Sequence, residues 1–210
     1  MKIAILGSGN VGGSLGRIWA GKGHAITFGS RDPNCERVQA LLASIPGEAK
    51  ADLRHVAAAD AEVVVLAVPW ASAEGTVREA GDLAGKILVD CINPIAPEFD
   101  RLDTGEHGSA SEAIAQWAPG ARIVKAFNCI GALNFEKPKF GVVTADSFIC
   151  GDDDAAKAAV KQLSEEMGFE AVDVGGISNA VHLEHVAMLW IHMAYNQGFG
   201  GEIAVKVLSR

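Results

Sequence analysis

The sequence has few of the features that secreted proteins, membrane-spanning proteins or proteins stabilised by a bound metal require. Only four of its 210 residues are cysteines, and Cys35, Cys91, Cys129 and Cys150 lie far apart without a C-x-x-C pair. This spacing is typical of reduced, structural thiols and argues against a disulfide framework or a zinc site. No apolar run reaches the ~20 residues that a bilayer-spanning helix needs. The chain enters a strand at once, without a basic leader, so we expect a cytoplasmic protein without a signal peptide.

Positive charge is also scarce. The chain has 18 Lys and Arg residues against 26 Asp and Glu residues, which gives a formal net charge of −8. This balance argues against nucleic acid or an anionic membrane as a partner. Repeats, low-complexity segments and flexible linkers are absent as well, whereas 49% of the residues are hydrophobic. The composition therefore predicts a sizeable core.

The N-terminal segment carries the clearest motif. The apolar run Lys2–Leu6 predicts a buried strand and leads directly into a G-x-G-x-x-G turn. Apolar residues at helical spacing follow, and then a second apolar run at residues 25–28. Strand, glycine turn, helix and strand form the context that the dinucleotide-binding fingerprint requires. The candidate cofactor-binding residues of this turn are Gly7, Ser8, Gly9, Asn10, Val11 and Gly12.

Each glycine of the turn has its own predicted role. Gly7 permits a tight turn, Gly9 lets the backbone approach a pyrophosphate, and Gly12 allows the helix to pack closely on the strand. The free N–H groups and the dipole at the start of the helix favour the phosphate charge.

The end of the second strand predicts which dinucleotide is bound. An NAD site usually has an acidic residue there, whereas this chain has Ser30 and Arg31. A hydroxyl and a guanidinium suit a 2′-phosphate, so NADP is the predicted cofactor. The alternative interpretation is that Arg31 is a solvated surface residue, and an inward-pointing Asp32 would weaken the preference.

The remaining pattern predicts an α/β fold with a Rossmann-type, doubly wound parallel sheet. We assign residues 1–140 to an NADP-binding domain. Residues 141–210 are predicted to form a small C-terminal α/β extension on the same domain, with acceptor-site and dimer elements. It contains an apolar helix at 180–195 and a last apolar turn. Asp52 is the predicted N-cap of a helical turn ending at Ala59, and Ser109 and Glu112 have capping-box spacing.

Ligands of such sheets bind at the carboxyl ends of the strands, which selects further candidates. They are Val68, Pro69 and Trp70 after strand four, Asn93 and Pro94 after strand five, and Asn128 and Cys129 after strand six. The alternative for Trp70 is a turn with a core tryptophan, and for the two asparagines it is local turn capping.

No catalytic side chain and no metal site is predicted. Lys125 is the only obvious catalytic cation in the crevice, but strand alternation favours its pointing to solvent or to a carboxylate. His182, His185 and His192 share an apolar helix, which favours packed or interfacial histidines over metal ligands. The chemistry is therefore expected to belong to the nicotinamide.

Several motifs together resemble one family. They are Ile5–Gly12, Gly29–Arg31, Val68–Trp70, Cys150–Asp153 and Gly200–Ile203. Their order resembles that of the NADPH-dependent coenzyme F420 reductases (8-hydroxy-5-deazaflavin:NADPH oxidoreductases), and the likeness covers almost the whole chain. The sequence is also similar to the oxidoreductase domains of the six-transmembrane ferric reductases, notably at residues 125–128.

The resemblance implies direct hydride transfer between the nicotinamide and a stacked deazaflavin or flavin, without a side-chain acid or base. It implies NADP contacts at Ser8, Gly9, Asn10, Val11, Ser30 and Arg31, with nicotinamide-side contacts near Pro69, Asn93 and Cys129. The chain departs from the archaeal deazaflavin enzymes at residues 127–129, which leaves the acceptor open between F420 and FMN or FAD.

Three alternatives follow from the same residues. A flavin or ferric-chelate reductase would use the same scaffold. A β-hydroxyacid dehydrogenase would need a large helical substrate domain, for which too few residues follow position 131. A redox sensor would bind NADP without turnover. The apolar surface of residues 180–195 further predicts a homodimer through this helix.

Overall fold

A computed structural model describes all 210 residues, and most of its strands belong to one sheet. The eight strands of this sheet are β1 (Lys2–Leu6), β2 (Ala25–Ser30), β3 (Ala49–Leu53), β4 (Val63–Leu66), β5 (Ile87–Asp90), β6 (Arg122–Ala126), β9 (Asp146–Gly151) and β10 (Glu170–Asp173). Strands β7 (Lys139–Phe140) and β8 (Val143–Thr144) form a separate hairpin that the sequence pattern did not predict.

Seven α-helices connect the strands. They are α1 (Asn10–Gly21), α2 (Glu36–Ala43), α3 (Arg54–Ala59), α4 (Ala73–Ala80), α5 (Ala110–Trp117), α6 (Asp154–Glu166) and α7 (Ala180–Ile191). A π-helical turn at His192–Asn196 continues α7, and a 3₁₀ turn at Trp70–Ser72 precedes α4. None of these helices is both long enough and apolar enough to cross a membrane.

The strand order is β10-β9-β6-β5-β4-β1-β2-β3. The first six strands therefore have the doubly wound order 3-2-1-4-5-6, which confirms the predicted Rossmann-type sheet. The order reverses between β1 and β4, and a ligand crevice is expected outside the carboxyl ends of these two strands. All residues of β4 and β5 are buried, as the largely apolar sequences of these two strands predict.

Two hydrophobic clusters cover the two faces of the sheet. One contains Trp19 of α1, Phe28 of β2 and Val160 of α6, and the other contains Val77 of α4 and Ile114 of α5. Because apolar burial is the main favourable term in folding, these two layers fix the positions of the strand ends.

The C-terminal part continues the same sheet. Strand β9 pairs antiparallel with β6, and β10 pairs parallel with β9 across the crossover helix α6. Helix α7 then packs over a small cluster that contains Cys129, Phe148 and Cys150. The division of the chain at residue 140 stays a prediction.

Two local predictions are wrong. Asp52 does not cap α3, because the pairing of β3 with β2 extends to Leu53 and holds Asp52 inside the strand. Its carboxylate accepts a 2.8 Å hydrogen bond from the Leu53 N–H group instead. Residues 202–210 form no regular turn. By contrast, the predicted cap of α5 is present, since the Ser109 hydroxyl accepts a 3.1 Å bond from the Glu112 N–H group.

Candidate functional site

The glycine turn after β1 combines two glycines that the fold needs with one that leaves space. Gly7 has a φ of +126°, and a Cβ atom there would lie 2.2 Å from the Ala67 carbonyl oxygen. A Cβ atom at Gly12 would lie 2.0 Å from the carbonyl oxygen of Gly7. At Gly9 nothing lies within 4 Å of that position. The backbone at Gly9 is therefore open to a ligand at close range.

The N-terminus of α1 has unsatisfied donors. No side chain caps this helix, and its first turn has no acidic residue. Among the α-helices only α5 and α6 have a side-chain cap, from Ser109 and Asp153. The free N–H groups and the positive end of the helix dipole are suited to a pyrophosphate, which would supply the missing cap.

A groove of about 470 Å³ runs from this turn over the end of β2. It is lined by Gly7, Ser8, Gly9, Gly29, Ser30, Arg31, Asp32, Cys35, Arg37, Arg54, Ala67, Val68, Pro69 and Ser72. The groove thus brings together Gly7, Ser8 and Gly9 of the turn with Ser30, Arg31, Val68 and Pro69, whereas Asn10, Val11 and Gly12 do not line it. Three arginines give the groove a positive wall that suits the phosphates of NADP.

The three arginines differ in how they are held. Arg31 is exposed and forms no ion pair, and Arg37 makes only a long 3.5 Å bond to the Ser8 carbonyl oxygen. Arg54 is anchored by a 2.6 Å ion pair to Glu79, while its Nε atom is buried without a hydrogen-bond partner. Sequence reasoning missed Arg37 and Arg54. Arg54 directly follows β3, the strand next to β2, so the rule that ligands bind at the carboxyl ends of the strands could have identified it.

Asp32 also lines the groove, but its carboxylate is already engaged. It accepts a 3.0 Å hydrogen bond from the Asn34 N–H group, and the Ser30 hydroxyl donates to the Asp32 carbonyl oxygen at 2.9 Å. Both contacts fold the loop back on itself. The groove lining therefore has one carboxylate against three arginines, which leaves it positive overall.

Trp70 does not line this groove. Its ring stacks on Trp117 of α5, with ring centroids 5.3 Å apart and planes inclined by 28°. It packs against the hydrophobic cluster on that face of the sheet. This is the alternative that the sequence left open, a turn with a packed tryptophan. Pro94 does not line the groove either, because it is buried.

The two predicted asparagines bind each other across the ends of β5 and β6. Asn93 donates to the Asn128 carbonyl oxygen at 2.9 Å, and Asn128 donates to the Asn93 side-chain oxygen at 2.9 Å. Asn128 also donates to the Leu183 carbonyl oxygen of α7 at 3.1 Å. Phe127, directly before it, has a φ of +65°, which is rare for an aromatic residue. The bridge fixes this backbone at the edge of the crevice.

Cys129 is a buried thiol and not a nucleophile. Its thiol donates to the Leu183 carbonyl oxygen at 3.1 Å. Burial raises the pKa of Cys129 to about 12, and it raises the pKa of Cys150 to about 12 as well. Because the thiolate is the reactive form, neither cysteine supplies nucleophilic chemistry at neutral pH.

Lys125 lies in a buried ionic cluster just below these strand ends. Its ammonium group is 2.9 Å from Asp90, 2.9 Å from Glu184 and 2.8 Å from the Ile92 carbonyl oxygen, and all three side chains are 0% exposed. Ser111 donates to Asp90 at 2.6 Å. Of the two alternatives for Lys125, the carboxylate partner is confirmed and the solvent contact is wrong.

The cluster connects the sheet to α7. Burial lowers the pKa of Lys125, but the two carboxylates outweigh this effect and raise it overall, so the ammonium stays charged. Burial raises the pKa of Glu184, against the opposing effect of Lys125, and one Glu184 oxygen has no partner. Sequence reasoning missed Asp90 and Glu184, although a lone acid in an apolar helix signals a buried partner.

The histidines of α7 and the turn that follows it are not tightly packed. His185 contacts the Val181 carbonyl oxygen at 2.7 Å, and His192 lies 3.1 Å from Gln197. No group of three His, Cys, Asp or Glu side chains is arranged to hold a metal ion.

The sheet, the uncapped helix and the arginine-lined groove together define a Rossmann-type NADP-binding protein. A family model described as "NADP oxidoreductase coenzyme F420-dependent" matches residues 2–94. An F420-dependent NADP reductase of Methanothermobacter marburgensis is 32% identical over 213 residues, with 92% of each chain covered. The chain therefore belongs to the family of F420-dependent NADP reductases and is an NADP-dependent oxidoreductase.

Two further relatives extend the comparison. Metalloreductase STEAP3 of Rattus norvegicus is 34% identical over 188 residues, which cover 89% of this chain and 36% of that protein. The chain thus spans about a third of the length of that relative. A crystal structure from an Arthrobacter species, described as a candidate F420-dependent NADP reductase, has a TM-score of 0.90 at 31% identity, with all of both chains covered.

Proposed function

We propose that this oxidoreductase transfers hydride between NADP(H) and the deazaflavin coenzyme F420. The observation that carries the proposal is that the ends of β5 and β6, beside the cofactor groove, present no free acid, base or nucleophile. Lys125 is locked between two carboxylates, and Cys129 is a neutral thiol. When both partners are bound, NADPH supplies a hydride to the deazaflavin, solvent supplies one proton, and NADP⁺ and the reduced deazaflavin are formed. The protein then contributes binding, orientation and exclusion of water.

The residues of the chain have distinct roles in this proposal. The N–H groups at Ser8–Val11 bind the pyrophosphate, and Ser30 and Arg31 bind the 2′-phosphate. Val68 and Pro69 support the dinucleotide at the switch point. The Asn93–Asn128 bridge holds the strand ends against which the nicotinamide lies.

The runner-up is a flavin or ferric-chelate reductase on the same scaffold. The 34% identity to a metalloreductase favours it, although this chain spans only 36% of that relative. A second alternative, an NADP-binding redox sensor without turnover, would use the groove alone.

The experiment that separates these functions is NADPH oxidation with F420, FMN, FAD or no acceptor in parallel. The proposal predicts rapid turnover with F420 and slow turnover with the flavins. Turnover with flavins alone would overturn it in favour of the runner-up. Tight NADPH binding without turnover on any acceptor would favour the sensor.

We also propose that the protein is a cytoplasmic homodimer that pairs through α7. The four cysteines are unpaired thiols, which suits a reducing compartment. Leu189 of α7 is 55% exposed, so this helix carries a large apolar side chain without a partner in the monomer. Light scattering should give the dimer mass, and Leu189→Glu should shift it to the monomer. A monomeric wild-type protein would refute the pairing.

A further inference from the structure

A second groove lies on the other side of the glycine turn. It has a volume of about 790 Å³ and lies between α1, α2, residues 131–133 and the end of α7. Ser8, Gly9 and Arg37 line both this groove and the cofactor groove, so the two are continuous at the turn. A space of this size is typical of a small-molecule site.

The second groove is basic although the chain is acidic. Arg17 and Arg37 line it, and none of its 15 lining residues is Asp or Glu, whereas the whole chain has a formal net charge of −8. Such a local excess of positive charge attracts an anionic ligand.

Arg17 is held loosely enough to exchange its partner. It lies 3.3 Å from Glu136, which is just outside the groove lining, and 3.4 Å from the Ser44 hydroxyl. The Arg17 side chain is 37% exposed and that of Glu136 is 54% exposed. An exposed pair of this kind contributes little to stability, so an oxyanion in the groove competes with Glu136 at small cost.

Apolar side chains form the opposite wall. Leu133 is 72% exposed and Tyr195 is 69% exposed. Trp190 is fixed by a 2.8 Å hydrogen bond from its indole N–H to the Ile203 carbonyl oxygen, and it packs against Gly131. The groove thus pairs apolar surface with cations, which suits a ligand with a carbon chain and acidic groups.

We propose that this groove binds the phosphate- or carboxylate-bearing tail of the hydride acceptor, with Arg17 as the residue that recognises its charge. The inference rests on the proposed function. Gly131 lies two residues past Cys129, beyond the end of β6, and Gly9 is shared with the cofactor groove. When the ring of the hydride acceptor stacks at the strand ends, its tail can therefore extend directly into the second groove.

The test compares acceptors that differ only in the tail. F420 is paired with 8-hydroxy-5-deazariboflavin, which lacks the tail, and FMN is paired with riboflavin. Arg17→Gln should raise KM for the tailed member about tenfold, because one charge-assisted contact is lost. It should leave KM for the tail-less member and for NADPH within about twofold. Arg78→Gln, which removes an exposed arginine of α4, serves as the control.

The outcomes separate this inference from the proposed function. If F420 is the acceptor, Arg17→Gln should raise KM for F420 but not for its tail-less partner. If a flavin is the acceptor, the same variant should raise KM for FMN but not for riboflavin. Equal changes for both members of a pair, or no change, would refute the role of Arg17. If no acceptor is reduced, the proposed function fails, and fluorescence titration of the same two pairs then tests the groove without turnover. Equal affinities for tailed and tail-less compounds in that titration would overturn it.

Discussion

Arg31 and Lys125 both lie at the carboxyl end of a parallel strand, one just past β2 and the other in β6. Arg31 is exposed and has no ionic partner, whereas Lys125 is completely buried between Asp90 and Glu184. The two cations are of the same sign and stand at the same edge of the sheet. What differs is whether the fold already supplies the opposite charge.

The comparison shows that some charged side chains of this protein stabilise the fold, whereas others are available to bind a ligand. In the buried cluster the protein neutralises the cation itself, and the contacts join β5, β6 and α7. At the groove Arg31 is left without an ionic partner, so its interaction with an anion from outside contributes to binding and not to folding. The following variants test this division, in order of expected effect.

Lys125→Met should produce the largest change, and it should appear in stability. It leaves two carboxylates facing each other in a buried space, and breaking a buried pair in this way costs about 3–5 kcal/mol of the free energy of unfolding. Chemical denaturation near neutral pH measures this loss, with Lys161→Met on the exposed face of α6 as a control expected within about 0.5 kcal/mol.

The pH dependence of that variant sharpens the result. Burial raises the pKa of Glu184, and the variant removes the opposing effect of the Lys125 charge, so the stability of Lys125→Met should recover as the pH falls. If the free energy of unfolding of Lys125→Met fell by less than about 1 kcal/mol near neutral pH, the cluster would not contribute substantially to the stability of the fold.

Arg31→Ala should have a smaller effect, confined to binding. NADPH affinity should fall relative to NADH affinity by about 1.5–3 kcal/mol, since only NADPH carries the 2′-phosphate. Titration with both cofactors measures this ratio, and thermal melting should show an unchanged fold. Equal losses for NADPH and NADH would contradict the assignment of Arg31 to the 2′-phosphate.

The same comparison explains how far the sequence alone could lead. The β1 turn and Arg31 are local signals, because residue spacing within a few positions fixes the turn, the helix and the strand end. The partners of Lys125 are not local. Strand alternation left a carboxylate as one option, but the choice of Asp90 and Glu184 depends on how α7 packs on the sheet. For the same reason the antiparallel placement of β9 between β6 and β10 was not predicted.

Glu184→Gln should produce the smallest change, and it should appear only as a change of pH dependence. Because burial raises the pKa of Glu184 above its ordinary value of 4.5, the folded state holds this proton more tightly than the unfolded state. The contribution of Glu184 to stability is therefore present below pH 4.5 and falls as the pH rises through the raised pKa. The glutamine side chain of the variant keeps an oxygen for Lys125 and the Ala110 N–H group but cannot ionise.

The expected result is a difference between two stability curves. Between about pH 4.5 and 7 the free energy of unfolding should fall less steeply in Glu184→Gln than in the wild type, with a change of about 1 kcal/mol or less at neutral pH. Denaturation at several pH values gives both curves, and Glu165→Gln on α6 should follow the wild type. Parallel curves for wild type and Glu184→Gln would mean that Glu184 does not titrate in this range, and the cluster would then carry a fixed negative charge against α7.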